Sequence, residues 1–172
     1  MVTLRCTQKL LRRISGPVTE TGGKPTTLLG DWHANIRFSK PQHLVIGISD
    51  RTLLPVIVPA KHIHTLPERF VMAVHEILTG LGVDPQMADT ECGQMRDLHF
   101  GRTNNRRALG SLNDLIFHLD CYLQADPYAS LPKLSLHLST IIYKPIGYRS
   151  PKDVTLELFA SGAARSVYRV CP

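Results

Sequence analysis

The stretch from Gly101 to Leu115, GRTNNRRALGSLNDL, sets Arg102, Arg106 and Arg107 just ahead of a helix-forming run. Arginines beside a helix start are chemistry for anions, because the first helical turn leaves backbone N–H groups unpaired and carries the positive end of the dipole. Guanidinium forks add paired contacts to phosphate or carboxylate oxygens. Arg102, Arg106, Arg107, Gly110 and Ser111 therefore form the candidate anion-binding set. The same residues also compose an ordinary turn and cap. Asn104 and Asn105 would turn the chain, Gly110 and Ser111 would cap the helix, and the arginines would lie in solvent or pair with Asp97 and Asp114.

A hydrolytic version of the same site adds His99, and His33 as a second candidate, as general acid and base on an RNA phosphodiester, with the arginines stabilising the charge of the transition state. Such chemistry needs no metal. Lys61-His62-Ile63-His64 places two histidines where a strand would turn them to one side, and His75 follows on the next helix. A third ligand is not evident nearby, so solvated loop histidines are the simpler reading, and neither a metal nor a cofactor is expected. Asp31, Asp114 and Asp120 form no recognisable magnesium constellation. Serine-hydrolase, Walker and dinucleotide fingerprints are absent. Cys6, Cys92, Cys121 and Cys171 are widely spread, without a CxxC pair, and read as free thiols of a reducing cytoplasm. Trp32, the sole tryptophan, reads as core, with ligand stacking as the alternative.

These side chains need elements to hold them. Residues 2–6 alternate like a short strand, and Thr7 opens a brief helix through Leu10, Leu11 and Ile14. Residues 19–27 read as a surface loop. In residues 32–38 the apolar Trp32, Ala34, Ile36 and Phe38 share one face, and His33, Asn35 and Arg37 share the other. Residues 43–49 and 53–58 are more continuously apolar strands joined by a turn over residues 49–52, with Pro55 suited to an edge. Pro67 opens an amphipathic helix of Phe70, Val74, Ile77 and Leu78 that stops at Gly80 to Gly82. An irregular link follows, then a short strand at 97–100. The next helix carries Leu112, Leu115, Ile116, Leu119 and Leu123, started by a capping-box-like Ser111 and Asp114 and ending near Asp126-Pro127. A further helix runs from Pro132 and stops before Pro145, and residues 154–158 alternate like a strand.

At 172 residues the chain fits one domain, and its 43% apolar and 20% charged residues are those of a soluble globular protein. An excess of 20 Lys+Arg over 14 Asp+Glu, formally +6, attracts polyanions. Aromatic content of 6% speaks against a stacking platform of several rings for single-stranded nucleic acid. No segment has signal-peptide or membrane-spanning character, so a cytoplasmic protein without a membrane partner is expected. Nothing in the sequence fixes an oligomeric state.

LGDWHANI (29–36), RTLLPVIVPA (51–60) and RRALGSLNDL (106–115), taken in order, resemble a small uncharacterised bacterial domain family. Its members carry a Leu-Gly-x-Trp-Tyr-Ala-Asn block, an apolar hairpin and an Asn-Arg-Ser-Val-Leu-Gly-Ser-Met-Asn-Asp block. Here His33 stands in place of the tyrosine and Arg107-Ala108 in place of Ser-Val. The resemblance implies a single α+β protein of bacterial or mobile-element origin and brings no catalytic residue with it. It marks Trp32, Asn35, Arg106, Gly110, Ser111, Asn113 and Asp114 as block positions.

The expected fold is thus one α+β domain over residues 1–172, an antiparallel meander of about three to five strands covered on one face by helices near Pro67, Ser111 and Pro132. The leading expectation for function is a non-enzymatic binding module whose basic helix-start loop engages RNA, DNA or an acidic protein. The alternatives are a small metal-independent ribonuclease of toxin type, and a structural or interaction protein without a ligand.

Overall fold

The computed structural model describes residues 1–14, 16–18, 23–103 and 105–167. In chain order its main elements are β1 (Val2–Cys6), α1 (Gln8–Leu11), β2 (Trp32–Arg37), β3 (Leu44–Ser49), β4 (Pro55–Pro59), α2 (Leu66–Gly80), α3 (Pro85–Gln94), β5 (Leu98–Arg102), α4 (Arg106–Ala125), α5 (Leu131–Leu138) and α6 (Pro151–Val167). Residues 19–22 of the expected 19–27 loop, Asn104 of the expected turn and Cys171 lie outside the described residues.

The fold is α+β, around a five-stranded sheet in the order β4-β3-β2-β1-β5. β2, β3 and β4 form the expected antiparallel meander. β1 instead pairs in parallel with both β2 and β5, so the sheet is mixed rather than wholly antiparallel. The cause is connection length. A tight turn reverses the chain, whereas the long links from β1 to β2 and from β4 to β5, the latter holding α2 and α3, return it in its original direction.

Helices cover both faces of this sheet, not one. Val2, Leu4 and Cys6 of β1 and Trp32, Ala34 and Ile36 of β2 pack with Leu66, Phe70, Val74, Ile77 and Leu78 of α2. On the opposite face Leu44, Ile46 and Ile48 of β3 meet Leu112, Leu115 and Leu119 of α4 and Leu134 and Leu138 of α5. All six residues of β3 are buried, which is why its sequence is a continuous apolar run rather than an alternating one.

The second face is apolar only over β3 and β4. By strand alternation and the registers Thr3↔His99 and Arg5↔His33, the other half presents Thr3, Arg5, His33, Asn35, Arg37 and His99. That polar half holds the site residues.

Five helices differ from the sequence expectations: α1 ends at Leu11, short of Ile14, and α5 ends at Leu138, well before Pro145. α4 starts at Arg106 rather than Ser111, because Asn105 supplies the cap. The irregular link contains α3, which Asp84 caps with Pro85 in its first turn; it buries few apolar side chains and so left no stripe to read. Residues 154–158 belong to α6, not to a strand. Their five-residue alternation sits inside a longer spacing in which Pro151, Thr155 and Phe159 are the buried positions, four apart. Phe38 falls beyond the end of β2 and is exposed. No helix among the described residues is long and apolar enough to cross a membrane.

Candidate functional site

At the start of α4 the Asn105 carboxamide oxygen accepts hydrogen bonds from the N–H groups of Arg107 (3.0 Å) and Ala108 (3.1 Å). Gly110 and Ser111 sit a turn deeper, where helix geometry directs each amide to a carbonyl four residues back. They neither cap the helix nor offer free donors. Ser111 is buried, and a Ser/Asp pair of the spacing expected there occurs instead at α6, where Ser150 Oγ donates to Asp153 (2.7 Å) and accepts from its N–H (3.1 Å).

Arg106 and Arg107 are exposed in the first turn of α4, the end of a helix that disfavours cations. Arg102 is exposed at the end of β5. Among the described residues none of the three has a carboxylate within 4.0 Å, and Asp97, one expected partner, pairs with His99 instead.

Arg107 opens onto a cleft of about 470 Å³ whose charged lining is Asp50, Arg51, Arg107 and Arg149. Three sequence-distant segments supply the arginines. Arg51 lies in the β3–β4 turn and is steadied by a 3.0 Å hydrogen bond from Nη1 to the Leu28 carbonyl. That turn is itself locked: Ser49 and Thr52 hydroxyls bond each other (2.8 Å), and Thr155 of α6 donates to Thr52 (2.9 Å). Arg149 precedes α6 and pairs with the exposed Glu157. Arg102, Arg106, Gly110 and Ser111 do not line the cleft.

Beneath Asp50 lies His33, 2% exposed. Its Nδ1 bonds the Thr103 hydroxyl (2.9 Å) and its Nε2 bonds Asp50 Oδ1 (3.1 Å). The hydrogen bond from His33 holds the Asp50 carboxyl below its ordinary value, against partial burial that pushes it up, with Arg5 and Arg51 adding to the lowering. Next to this pair Arg5 donates from Nε (3.0 Å) and Nη2 (2.8 Å) to Asp31, whose other oxygen accepts the N–H of Thr3.

His99 shares the sheet face of His33, but β1 runs between them and the registers offset them by two residues, so about 12 Å separates their backbones. His99 bonds Asp97 at 3.0 Å, and both ring nitrogens of His33 are engaged within the fold. The two histidines are not brought together as an acid and base around one phosphodiester.

The remaining candidates have structural surroundings. Trp32 is fully buried and meets Phe70 edge-on at 5.1 Å. Asn35 accepts from the Thr7 hydroxyl (2.7 Å) and from the Ile36 N–H (2.9 Å). Asn113 and Asp114 are exposed on α4. Asp120 is paired with Arg37, while His75 bonds Asp89 at 2.9 Å rather than joining His62 and His64. Among the described residues no three His, Cys, Asp or Glu side chains cluster as metal ligands. Burial pushes the Cys6 and Cys92 thiols up to about 12, which makes them poor nucleophiles.

Sequence reasoning missed Asp50, Arg51, Thr103 and Arg149. Asp50 and Arg51 read as turn residues, and the one available signal was that a buried strand histidine, His33, needs polar partners for both nitrogens.

The model of a domain of unknown function, DUF6933, matches residues 3–154. The chain belongs to that family. The matched stretch includes Arg51, Arg107 and Arg149. No curated protein matches the chain.

Proposed function

We propose that this member of the DUF6933 family is a binding module that takes an anionic group of its partner, a nucleic-acid phosphate or a carboxylate of an acidic protein, into the cleft at the start of α4. One observation carries the reading: Arg51, Arg107 and Arg149, from three distant segments, line a single cleft beside a helix N-terminus. Stability alone gives no reason to gather like charges there, and repulsion opposes it. The one carboxylate in the lining, Asp50, is engaged by His33, and among the described residues neither Arg51 nor Arg107 has a carboxylate within 4.0 Å, so the lining keeps a net positive charge toward the opening. Arg51 is held in place before any ligand arrives, which lowers the ordering cost of binding. Glu157, the partner of Arg149, is exposed and exchangeable for a stronger anion. The formal +6 charge of the chain draws polyanions from a distance.

Within this reading Arg107 keeps the role expected from sequence, Arg51 and Arg149 join it, and Arg102 and Arg106 act only as outlying charge. The test is salt-dependent retention on immobilised RNA and on polyglutamate. The Arg51→Ala/Arg107→Ala/Arg149→Ala variant should elute at lower salt than the parent. On nucleic acid its salt slope should fall by about 0.7 to 0.9 for each phosphate that is no longer neutralised, against a smaller change for Arg102→Ala/Arg106→Ala. Unchanged elution of the triple variant on both matrices sinks the proposal.

A further inference from the structure

The opposite end of the sheet carries a second basic surface that shares no lining residue with the α4 cleft. It is separated from that cleft by the length of β2, about 20 Å. It is built from α1, the β2–β3 loop and the β4–α2 loop, and between Asp31 and Asp50, and again between Asp50 and Glu68, the chain has no acidic residue.

At its centre is Phe38, 45% exposed just past the end of β2. Lys9 Nζ lies 5.7 Å and the Arg13 guanidinium carbon 5.2 Å from the ring centroid, and His43 meets the ring edge-on at 5.1 Å. From Arg13 the surface continues as a cleft of about 500 Å³ toward His43, Lys61 and His62, and then as one of about 400 Å³ toward His64.

The far wall is preorganised. Arg69 of α2 donates to the carbonyls of Pro59 (2.7 Å), Lys61 (2.5 Å) and His62 (3.1 Å) and to the Thr65 hydroxyl (3.0 Å). Its guanidinium is spent on holding the loop, including the left-handed backbone of His62 (φ 52°), and so fixes where Lys61 and His62 leave the surface. Among the described residues Lys9, Arg13, Lys40 and Lys61 have no carboxylate within 4.0 Å, and Asp120, which reaches this end of the sheet, is taken by Arg37.

We infer that this surface binds single-stranded nucleic acid, with Phe38 stacking one base and Lys9, Arg13, Lys40 and Lys61 holding the flanking phosphates. An exposed ring flanked by cations and leading into a positively lined groove is the arrangement that unpaired bases and their backbone need. A duplex presents no free base face to such a ring. An anionic membrane would ask for several exposed apolar side chains, and in these three segments Phe38 is the only large one among the described residues. The low aromatic content excludes a platform of many rings but not a site for one base.

Fluorescence anisotropy with a labelled single strand of about ten nucleotides tests the inference, since such sites span roughly 4 to 16. Phe38→Ala should weaken binding about tenfold or more with an unchanged salt slope, and Phe38→Trp should restore it. Arg13→Ala and Lys61→Ala should each lower the slope by about 0.7. All three side chains are exposed or half-exposed, so melting temperatures should match the parent and separate lost binding from lost fold. The Phe38 effect should persist in the Arg51/Arg107/Arg149 triple alanine variant, which keeps this surface distinct from the α4 cleft. Wild-type affinity in Phe38→Ala overturns the inference. So does duplex binding as tight as single-strand binding, or displacement of the strand by phosphatidylserine vesicles with the same dependence on Phe38.

Discussion

His33 is a polar side chain placed by strand alternation on the polar half of the sheet face, and it becomes the inner support of the cleft through Thr103 and Asp50. Its position opposite Trp32 was legible in the sequence, since alternate residues of a strand must face opposite ways. Its partners were not, because no local pattern says which distant side chains a buried imidazole will meet. The same holds for Arg51 and Arg149, which approach Arg107 only through the tertiary fold. The Asp50 carboxyl, ordinarily at 3.8, is lowered chiefly by its hydrogen bond from His33. A lowered folded value means the contribution to stability is complete above the ordinary carboxylate range and is lost as pH falls through the lowered value. Asp50→Asn should therefore lower stability near neutrality, where the contribution is present, and converge with the parent in acid, so that part of the acid limb flattens; the loss is small because Asp50 is half exposed. Urea unfolding midpoints from pH 7 down to about pH 2 would measure this. An acid limb identical to that of the parent would remove the pair from the account of stability.

At the scale of elements, long amphipathic stripes were readable and short local patterns misled. α2 announced itself through Phe70, Val74, Ile77 and Leu78, all buried on one face. α3 did not, since its main structural contribution is polar. Buried Glu91, 2% exposed, accepts the N–H groups of Leu28 (2.7 Å) and Leu29 (2.8 Å), tying α3 to the chain just before β2. Burial raises the Glu91 carboxyl above its ordinary 4.5, and the two N–H groups oppose that rise without cancelling it. Because the folded value is raised, the sign is opposite to that of Asp50: this contribution is complete below the ordinary value and diminishes as pH rises through the raised one. Glu91→Ala removes both acceptors and leaves two amides without partners, a loss of about 2 to 4 kcal/mol by chemical denaturation. Glu91→Gln presents only one acceptor oxygen to two donors, so it should be destabilised as well, by a smaller amount. A Glu91→Ala variant as stable as the parent would show that water replaces the carboxylate without cost. Gly47 illustrates the reverse constraint. A Cβ there would come within 2.6 Å of the Phe70 ring, so Gly47→Ala should cost about 1 to 3 kcal/mol by forcing Phe70 off its seat against Trp32.

For the whole molecule, the decisive element is β3, whose alternate residues enter two different cores. Val45 belongs to the face covered by α2, and Leu44, Ile46 and Ile48 to the face covered by α4 and α5. A strand cannot leave one core without leaving the other, so the two faces should unfold together as one cooperative unit. The sole tryptophan, Trp32, reports on the α2 face, whereas far-UV circular dichroism reports on helices of both faces. Leu112→Ala opens a cavity in the other core, at a cost of about 2 to 5 kcal/mol. Out of a total stability of about 5 to 15 kcal/mol this is a large fraction, and it should lower the midpoint of thermal unfolding by about 5 to 15 °C. Cooperative unfolding requires that Trp32 fluorescence register the full shift, with a midpoint that coincides with the dichroism midpoint, although Leu112 and Trp32 lie on opposite sides of the sheet. If the dichroism transition moved or split while the Trp32 transition stayed in place, the α4–α5 layer would be a separately unfolding unit. The α4 cleft, whose Arg107 comes from that layer and whose Arg51 comes from the β3–β4 turn, would then come apart before the rest of the sheet did.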